Sequence, residues 1–246
     1  MALKTIMNSQ ELKLMKTEVT RFMMAYKFAL DEVNTKIDIL KQEFQYIHEY
    51  NPIEHVESRL KSFESILEKI SRKNYELSLP SIKENIRDIA GIRITCSFIS
   101  DIYQISEMLQ NQKDIQTLTV KDYIHSPKPN GYQSLHLVLQ VPVFMSDREE
   151  HVCIEVQIRT IAMDFWASLE HKIFYKYNRA VPEKLLLELK DAAVTAAQLD
   201  QKMERLHKEM NKLKASANEE ESSIEWFIEN ERLSVPLGLL ASLPNL

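Results

Sequence analysis

The chain has 246 residues, 44% hydrophobic and 27% charged, with a formal net charge of -5 at pH 7. This is the length and composition of a soluble globular protein with one medium domain and helical additions, and its acidic balance gives no expectation of a stable nucleic-acid partner. No run approaches 18 apolar residues, Met1 to Gln10 lacks a signal-peptide pattern, and Cys96 and Cys153 have no metal spacing, so a cytoplasmic protein with reduced thiols and no membrane partner is expected.

Residues 1–50 read as helix. Leu30, Val33, Ile37, Leu40, Phe44 and Ile47 are spaced 3, 4, 3, 4 and 3 apart and form one apolar stripe. Asn51-Pro52 breaks it, and a second helix is expected from Pro52 toward Leu67. From Ile92 to Phe98 apolar residues alternate as in a strand. Ser100-Asp101 then caps a short helix that buries Ile102, Ile105, Met108 and Leu109. Leu135 to Val143 and Val152 to Ile158 alternate again, the second strand carrying Cys153, Glu155, Gln157 and Arg159 on its other face. A helix containing Trp166 and His171 follows. From Pro182 a stripe of Leu189, Ala192, Ala196, Leu199, Met203, Leu206, Met210 and Leu213 calls for a partner helix, either in another copy or in the Leu30 to Ile47 stripe. Asn218 to Ser223 is a polar, acidic break, and the tail from Ile224 has no assignable pattern. The order of elements predicts an α+β fold: a mixed β-sheet flanked by helices, with helical extensions at both ends.

Four segments carry candidate chemistry. Pro127 to Leu137 is a proline-stiffened turn with an Asn-Gly pair that runs into a strand and presents Lys128, Tyr132, Gln133, Ser134 and His136. The chain has only 3 Gly, and Gly91 and Gly131 lie beside the densest polar clusters, where close approach or backbone freedom is useful. Arg59, Lys61, Lys69, Arg72 and Lys73 group cations that can neutralise a polyphosphate. In Arg87 to Arg93, Asp88 precedes a strand, as suits a Mg²⁺ ligand that shares the ion with phosphate oxygens. In Glu155 to Thr160 a charged residue sits mid-strand, where it needs solvent, a partner or a metal. Each segment also has a plainer reading: a hairpin, a solvated helix face, a turn cap, an exposed sheet face. Together they suggest Mg²⁺-dependent chemistry on two nucleotides. The P-loop pattern is absent.

Taken in order, Arg59 to Arg72, Asp88 to Arg93, Lys121 to Ile124, Lys128 to His136, Glu155 to Thr160, Trp166 and Leu169 to Lys172 resemble the small alarmone synthetases of the RelA/SpoT superfamily. The resemblance covers about Tyr46 to Tyr177. It implies a nucleotidyltransferase-like fold and a bacterial stress-response enzyme that moves pyrophosphate from ATP to the 3′-hydroxyl of GDP or GTP, giving ppGpp or pppGpp and AMP. It implies Asp88 and Glu155 as Mg²⁺ ligands, with Glu155 also helping to deprotonate the hydroxyl. Arg59 and Arg93 would sandwich adenine, and Lys61, Lys69 and Arg72 would complete the ATP site. Tyr132 would stack on guanine with His136 and Gln157 nearby, and Lys121 and Lys128 would meet the acceptor's 5′ phosphates. The domains implied are helices over 1–50, a synthetase domain over 51–179, an oligomerisation helix over 180–215 and a linker and tail over 216–246, in a homotetramer.

The chain departs from the family pattern in places. Thr119-Val120-Lys121-Asp122 matches only the basic half of a charge motif of long members, leaving the choice between GDP and GTP open. Asp164 stands where some relatives have Asn. None of the seven histidines precedes an Asp, so the hydrolase pair of long members is missing and synthesis alone is expected. Two alternatives stand beside this: the same fold and donor with an adenine nucleotide or tRNA end as acceptor, and a non-catalytic nucleotide-binding module.

Overall fold

A computed structural model describes residues 9–48, 50–174, 181–217, 226–228 and 231–233. In chain order the elements are α1 (Ser9–Ile47), β1 (Ile53–Leu60), α2 (Phe63–Arg72), α3 (Leu79–Asn85), β2 (Ala90–Cys96), α4 (Ile99–Gln110), β3 (Gln116–Asp122), β4 (Leu135–Phe144), β5 (Glu149–Thr160), α5 (Ile161–Phe174), α6 (Glu183–Ala217), β6 (Trp226–Ile228) and β7 (Glu231–Leu233). Five strands form one sheet in the order β1-β2-β5-β4-β3, and β6 pairs with β7. β2 and β5 run parallel, and the other neighbours in the five-stranded sheet are antiparallel. This is the expected α+β architecture. The acidic break at Asn218 to Ser223 lies outside the described residues.

The alternation of β2, β4 and β5 gives the sheet two unlike faces. Ile92, Ile94, Leu137, Leu139, Ile154 and Val156 point to one side and are buried with the α1 stripe and with Ile102, Ile105 and Leu109 of α4. Leu30, Val33, Ile37, Leu40 and Phe44 of α1 are in that core, whereas Ile47 is 72% exposed. Burying such a side chain fully stabilises by about 1.5–3 kcal/mol, so this face fixes the fold. The opposite face keeps its polar residues. A smaller cluster of Trp166, Ala167 and Ala193 lies there, with Tyr132, Leu189 and Ala196 packed against it.

Three expectations are corrected. Residues 53–60 form an edge strand, not a helix. A register shift between Ile53 and His55 turns strand periodicity into the helix-like spacing of Ile53, Val56 and Leu60. The α4 cap falls at Phe98, and Asp101 lies three residues inside it; its Oδ2 accepts from the Phe98 N–H at 2.9 Å and from the Tyr50 hydroxyl at 2.6 Å. α6 buries only the N-terminal part of its stripe, where Leu189 and Ala196 pack against the Trp166 cluster. Ala193 and Asp200 are buried, while Leu199 is 53% and Leu213 64% exposed. α1 packs on the sheet and α6 packs on α5 and α4, so α1 is not the cover for the α6 stripe. Polar links also hold α6: Thr160 donates to Asp200 at 2.5 Å, the Ser100 N–H and hydroxyl donate to Glu204 at 3.3 Å, and Trp166 donates to the Leu189 carbonyl at 3.1 Å. β3 is a further edge strand, and it carries Lys121.

Candidate functional site

Sheet register gathers residues that are far apart in sequence. Glu57, Arg93, Gln157, His136 and Lys121 occupy one row across β1, β2, β5, β4 and β3. The adjacent row holds Arg59, Gly91, Glu155 and Val138. Residues directly opposite on neighbouring strands share a face, so two rows place guanidinium groups at one side, a carboxylate on the central strand and an imidazole at the other. A cleft of about 450 Å³ opens over these rows. Arg59, Gly91, Arg93, Tyr132, Glu155 and Gln157 line it from below, and Ser168, His171 and Lys172 of α5 from above. A Cβ added at Gly91 would sit at 3.8 Å from Arg59 and 3.9 Å from the Glu155 carbonyl, so what Gly91 gives is an open cleft floor.

On the β1 side, Asp88 lies in the turn before β2. Its Oδ2 accepts from Lys61 Nζ at 2.6 Å and Lys69 Nζ at 2.7 Å. Burial pushes the Asp88 carboxyl up, but the two lysines outweigh it and hold it below the usual carboxylate range. Lys69 projects from α2, whose N-cap Ser62 accepts from the Ser65 N–H at 3.2 Å. Arg72, three residues on, is on the same side of α2 but exposed, outside the cleft. Arg93 Nη1 lies 3.4 Å from both Glu57 and Asp164. Its Nε is buried without a partner.

On the β4 side four hydrogen bonds and one imidazole–carboxylate contact join five residues in a ring. Arg159 Nη2 donates to the Tyr132 hydroxyl at 2.6 Å and to Gln157 Oε1 at 2.8 Å. Gln157 Nε2 donates to Glu155 Oε2 at 3.1 Å. Tyr132 Oη is 2.8 Å from His136 Nε2, and His136 Nδ1 is 3.5 Å from Glu155 Oε1. One set of directions satisfies the whole ring: Tyr132 donates to Nε2, and Nδ1–H points to Glu155. The His136 hydrogen bond holds the Glu155 carboxyl below the usual range, against burial and the Asp88 charge, which push it up. Glu155 is therefore ionised at neutral pH.

The turn that leads into β4 bends at Gly131, where φ is +88°. The Gly131 N–H donates to the Lys128 carbonyl at 2.8 Å, and Lys128 N–H donates to the Tyr132 carbonyl at 3.1 Å. Lys128 Nζ sits 4.6 Å from the ring centroids of both Tyr123 and Tyr132. A base stacking on Tyr132 must displace this ammonium from any ring face it covers. Lys121 is exposed on β3, opposite His136.

The structure thus brings Arg59, Arg93, Tyr132, Glu155 and Gln157 into one cleft, with His136 bonded to its wall. Asp88, Lys61 and Lys69 form a cluster before β2, and Arg72, Lys121 and Lys128 stand outside the cleft lining. Sequence reasoning gave Arg159 and Tyr123 no role in the site, and it noted Asp164 only as a departure from the family pattern. For Arg159 a signal existed: it continues the alternation of Glu155 and Gln157 on the polar face of β5. Among the described residues no group of three or more His, Cys, Asp or Glu is placed to hold a metal alone. Asp88 Oδ1 is nevertheless buried with no hydrogen-bond partner, an atom suited to a cation whose other ligands are phosphate oxygens.

Comparison with known proteins agrees with the geometry. A family described as "Region found in RelA / SpoT proteins" matches residues 58–180. GTP pyrophosphokinase YwaC of Bacillus subtilis is 52% identical over 207 residues, which is 84% of this chain and 99% of that protein. The crystal structure of small alarmone synthetase 2 from Bacillus subtilis superposes with a TM-score of 0.71 at 53% identity, covering 78% of this chain and 99% of that one. Small alarmone synthetase 1 from the same organism, bound to its product pppGpp, gives a TM-score of 0.72 at 40% identity, covering 78% and 97%. With the family region spanning the cleft and its flanking rows, the chain belongs to the RelA/SpoT family.

Proposed function

We propose that this chain synthesises ppGpp and pppGpp by moving pyrophosphate from ATP to the 3′-hydroxyl of GDP or GTP, with Mg²⁺ and with release of AMP. The observation that carries it is the layout of the cleft: one ionised carboxylate on the central strand, with guanidinium groups on the β1 side and an aromatic–imidazole pair on the β4 side. This suits two nucleotides that meet at Glu155. Likeness to a GTP pyrophosphokinase and to a pppGpp-bound synthetase supports it.

Arg59 and Arg93 hold adenine between planar guanidinium groups, and Lys61, Lys69 and Arg72 take the ATP phosphates. Tyr132 stacks on guanine, His136 and Gln157 orient it, and Lys121 and Lys128 draw in the 5′ phosphates. The acceptor 3′-oxygen attacks the β-phosphorus, its proton passes to Glu155, and the bond from the β-phosphorus to the α,β-bridging oxygen breaks to leave AMP. Mg²⁺, held by Asp88 and Glu155, would neutralise charge on the transferred phosphates. Such transfers depend on positioning and charge neutralisation, and holding both substrates together supplies several kcal/mol of the barrier reduction.

Residues 51–179 form the synthetase unit in this scheme and residues 180–215 the oligomerisation helix. The exposed Leu199, Met203, Leu206, Met210 and Leu213 favour a homo-oligomer, with a tetramer as the expected state. Among the described residues no helix is long and apolar enough to cross a membrane. Nucleotide substrates support the reading of a cytoplasmic enzyme. Incubation with ATP, Mg²⁺ and GDP, GTP, ADP or tRNA in turn tests the acceptor: products from GDP and GTP are expected, and transfer to tRNA alone would overturn the proposal.

A further inference from the structure

Arg159 is only 4% exposed, yet all three guanidinium nitrogens have partners. Besides Tyr132 and Gln157, Nη1 donates to Asp164 Oδ1 at 3.1 Å and Nε to Ser134 Oγ at 3.4 Å. A buried guanidinium is tolerated when its charge and its fork of N–H donors are matched, and Asp164 supplies the charge. Tyr132 lies in the turn before β4, so no strand pairing fixes its ring. Of the cations against that ring, Lys128 is exposed on a flexible stem and Arg159 is held at the end of β5.

From these contacts we infer that Arg159, charge-balanced by Asp164, is a positioning residue: it sets the Tyr132 ring for the acceptor base and ties that ring through Gln157 to Glu155. The inference rests on the guanine-acceptor proposal. Lysine at 159 keeps the charge that Asp164 needs but cannot span Tyr132 and Gln157 together. Asp164 Oδ1 also lies 3.4 Å from Arg93 Nη1, so Asp164 is shared with the ATP side; lysine at 159 leaves that carboxylate and its contact with Arg93 in place.

Steady-state kinetics with GDP and ATP varied separately test this, in wild type, Arg159→Lys, Tyr132→Phe and the double variant. The acceptor KM should rise about tenfold in Arg159→Lys while the ATP KM stays within about twofold, as for a lost charge-assisted hydrogen bond on one substrate's side. The effects in the double variant should fall short of the product of the single effects, because both changes remove the Arg159–Tyr132 bond. A parallel rise of both KM values, or single effects that multiply in the double variant, would overturn the positioning role. Should Arg159→Lys fail to fold in a thermal melt, Tyr132→Phe with Asp164→Asn gives a second cycle on acceptor KM, with the ATP KM read beside it because Asp164 also lies 3.4 Å from Arg93. Coupling there supports the inference and independence overturns it. Wild-type protein that pyrophosphorylates no guanine nucleotide would overturn the acceptor proposal and this inference with it, whereas active wild type with an unmoved Arg159→Lys overturns the inference alone.

Discussion

Gly131→Ala strikes the turn that presents Tyr132, and its effect can be worked from two separate terms. The residue has φ of +88°, a region that costs an L-residue about 1–2 kcal/mol. The added Cβ would lie 2.5 Å from the Ala193 Cβ of α6, far inside contact distance, and overpacking of this kind costs about 1–3 kcal/mol. The sum is a loss of about 2–5 kcal/mol, measured by urea unfolding followed through tryptophan fluorescence, since Trp166 packs with Ala193. The terms can be separated. Ala193→Gly removes the opposing methyl group and alone costs about 0.5–1 kcal/mol as a helix glycine. In the double variant the clash is gone and the backbone term remains, so the two changes together should cost about 1–3 kcal/mol less than their sum. Gly131→Ala within about 0.5 kcal/mol of wild type, or strict additivity with Ala193→Gly, would refute the claim that the turn is wedged against α6.

Four other outcomes are expected. Glu155→Gln should abolish turnover while nucleotide affinity by calorimetry stays within roughly tenfold, and wild-type-like turnover would remove Glu155 from the chemistry. Tyr132→Ala should weaken GDP or GTP by about 1–3 kcal/mol of lost stacking, and unchanged acceptor affinity would contradict the platform role. Asp88 has a carboxyl held low when folded, so its contribution to stability is present above the usual aspartate value of 3.8 and fades as pH falls through the lowered folded value. Asp88→Asn should therefore destabilise by about 1–3 kcal/mol at neutral pH, with the gap to wild type closing in strong acid; a gap independent of pH would exclude the lysine pair as its source. Leu199→Glu with Met203→Glu, on the exposed stripe, should shift the particle mass in light scattering to a smaller species, and an unchanged mass would remove α6 from the assembly.

The elements legible in the sequence were those whose apolar pattern meets the main core. The α1 stripe from Leu30 to Phe44 and the alternation of β2, β4 and β5 are direct imprints of burial. β1 was disguised by its bulge, and β3 gave no alternation because it is an edge strand whose Val120 is exposed. On α6 the pattern marks an apolar stripe but not the residues packed deepest: Ala193 and Asp200 go inward through contacts with Gly131 and Thr160 that only the tertiary fold creates. The site was legible as residue types along strands, because register alone sets Arg93, Gln157 and His136 side by side. What stayed hidden was the burial of Arg159. Alternation assigns a residue to a face and does not say whether another element, here α5 with Asp164, covers it.

The central claim is transfer of an intact pyrophosphoryl group. ATP labelled at the β-phosphorus, incubated with GDP, Mg²⁺ and the enzyme, tests it most directly when the products are separated. Label in a guanosine tetraphosphate beside unlabelled AMP is the predicted result. Labelled ADP beside an acceptor that has gained a single unlabelled phosphate would contradict it.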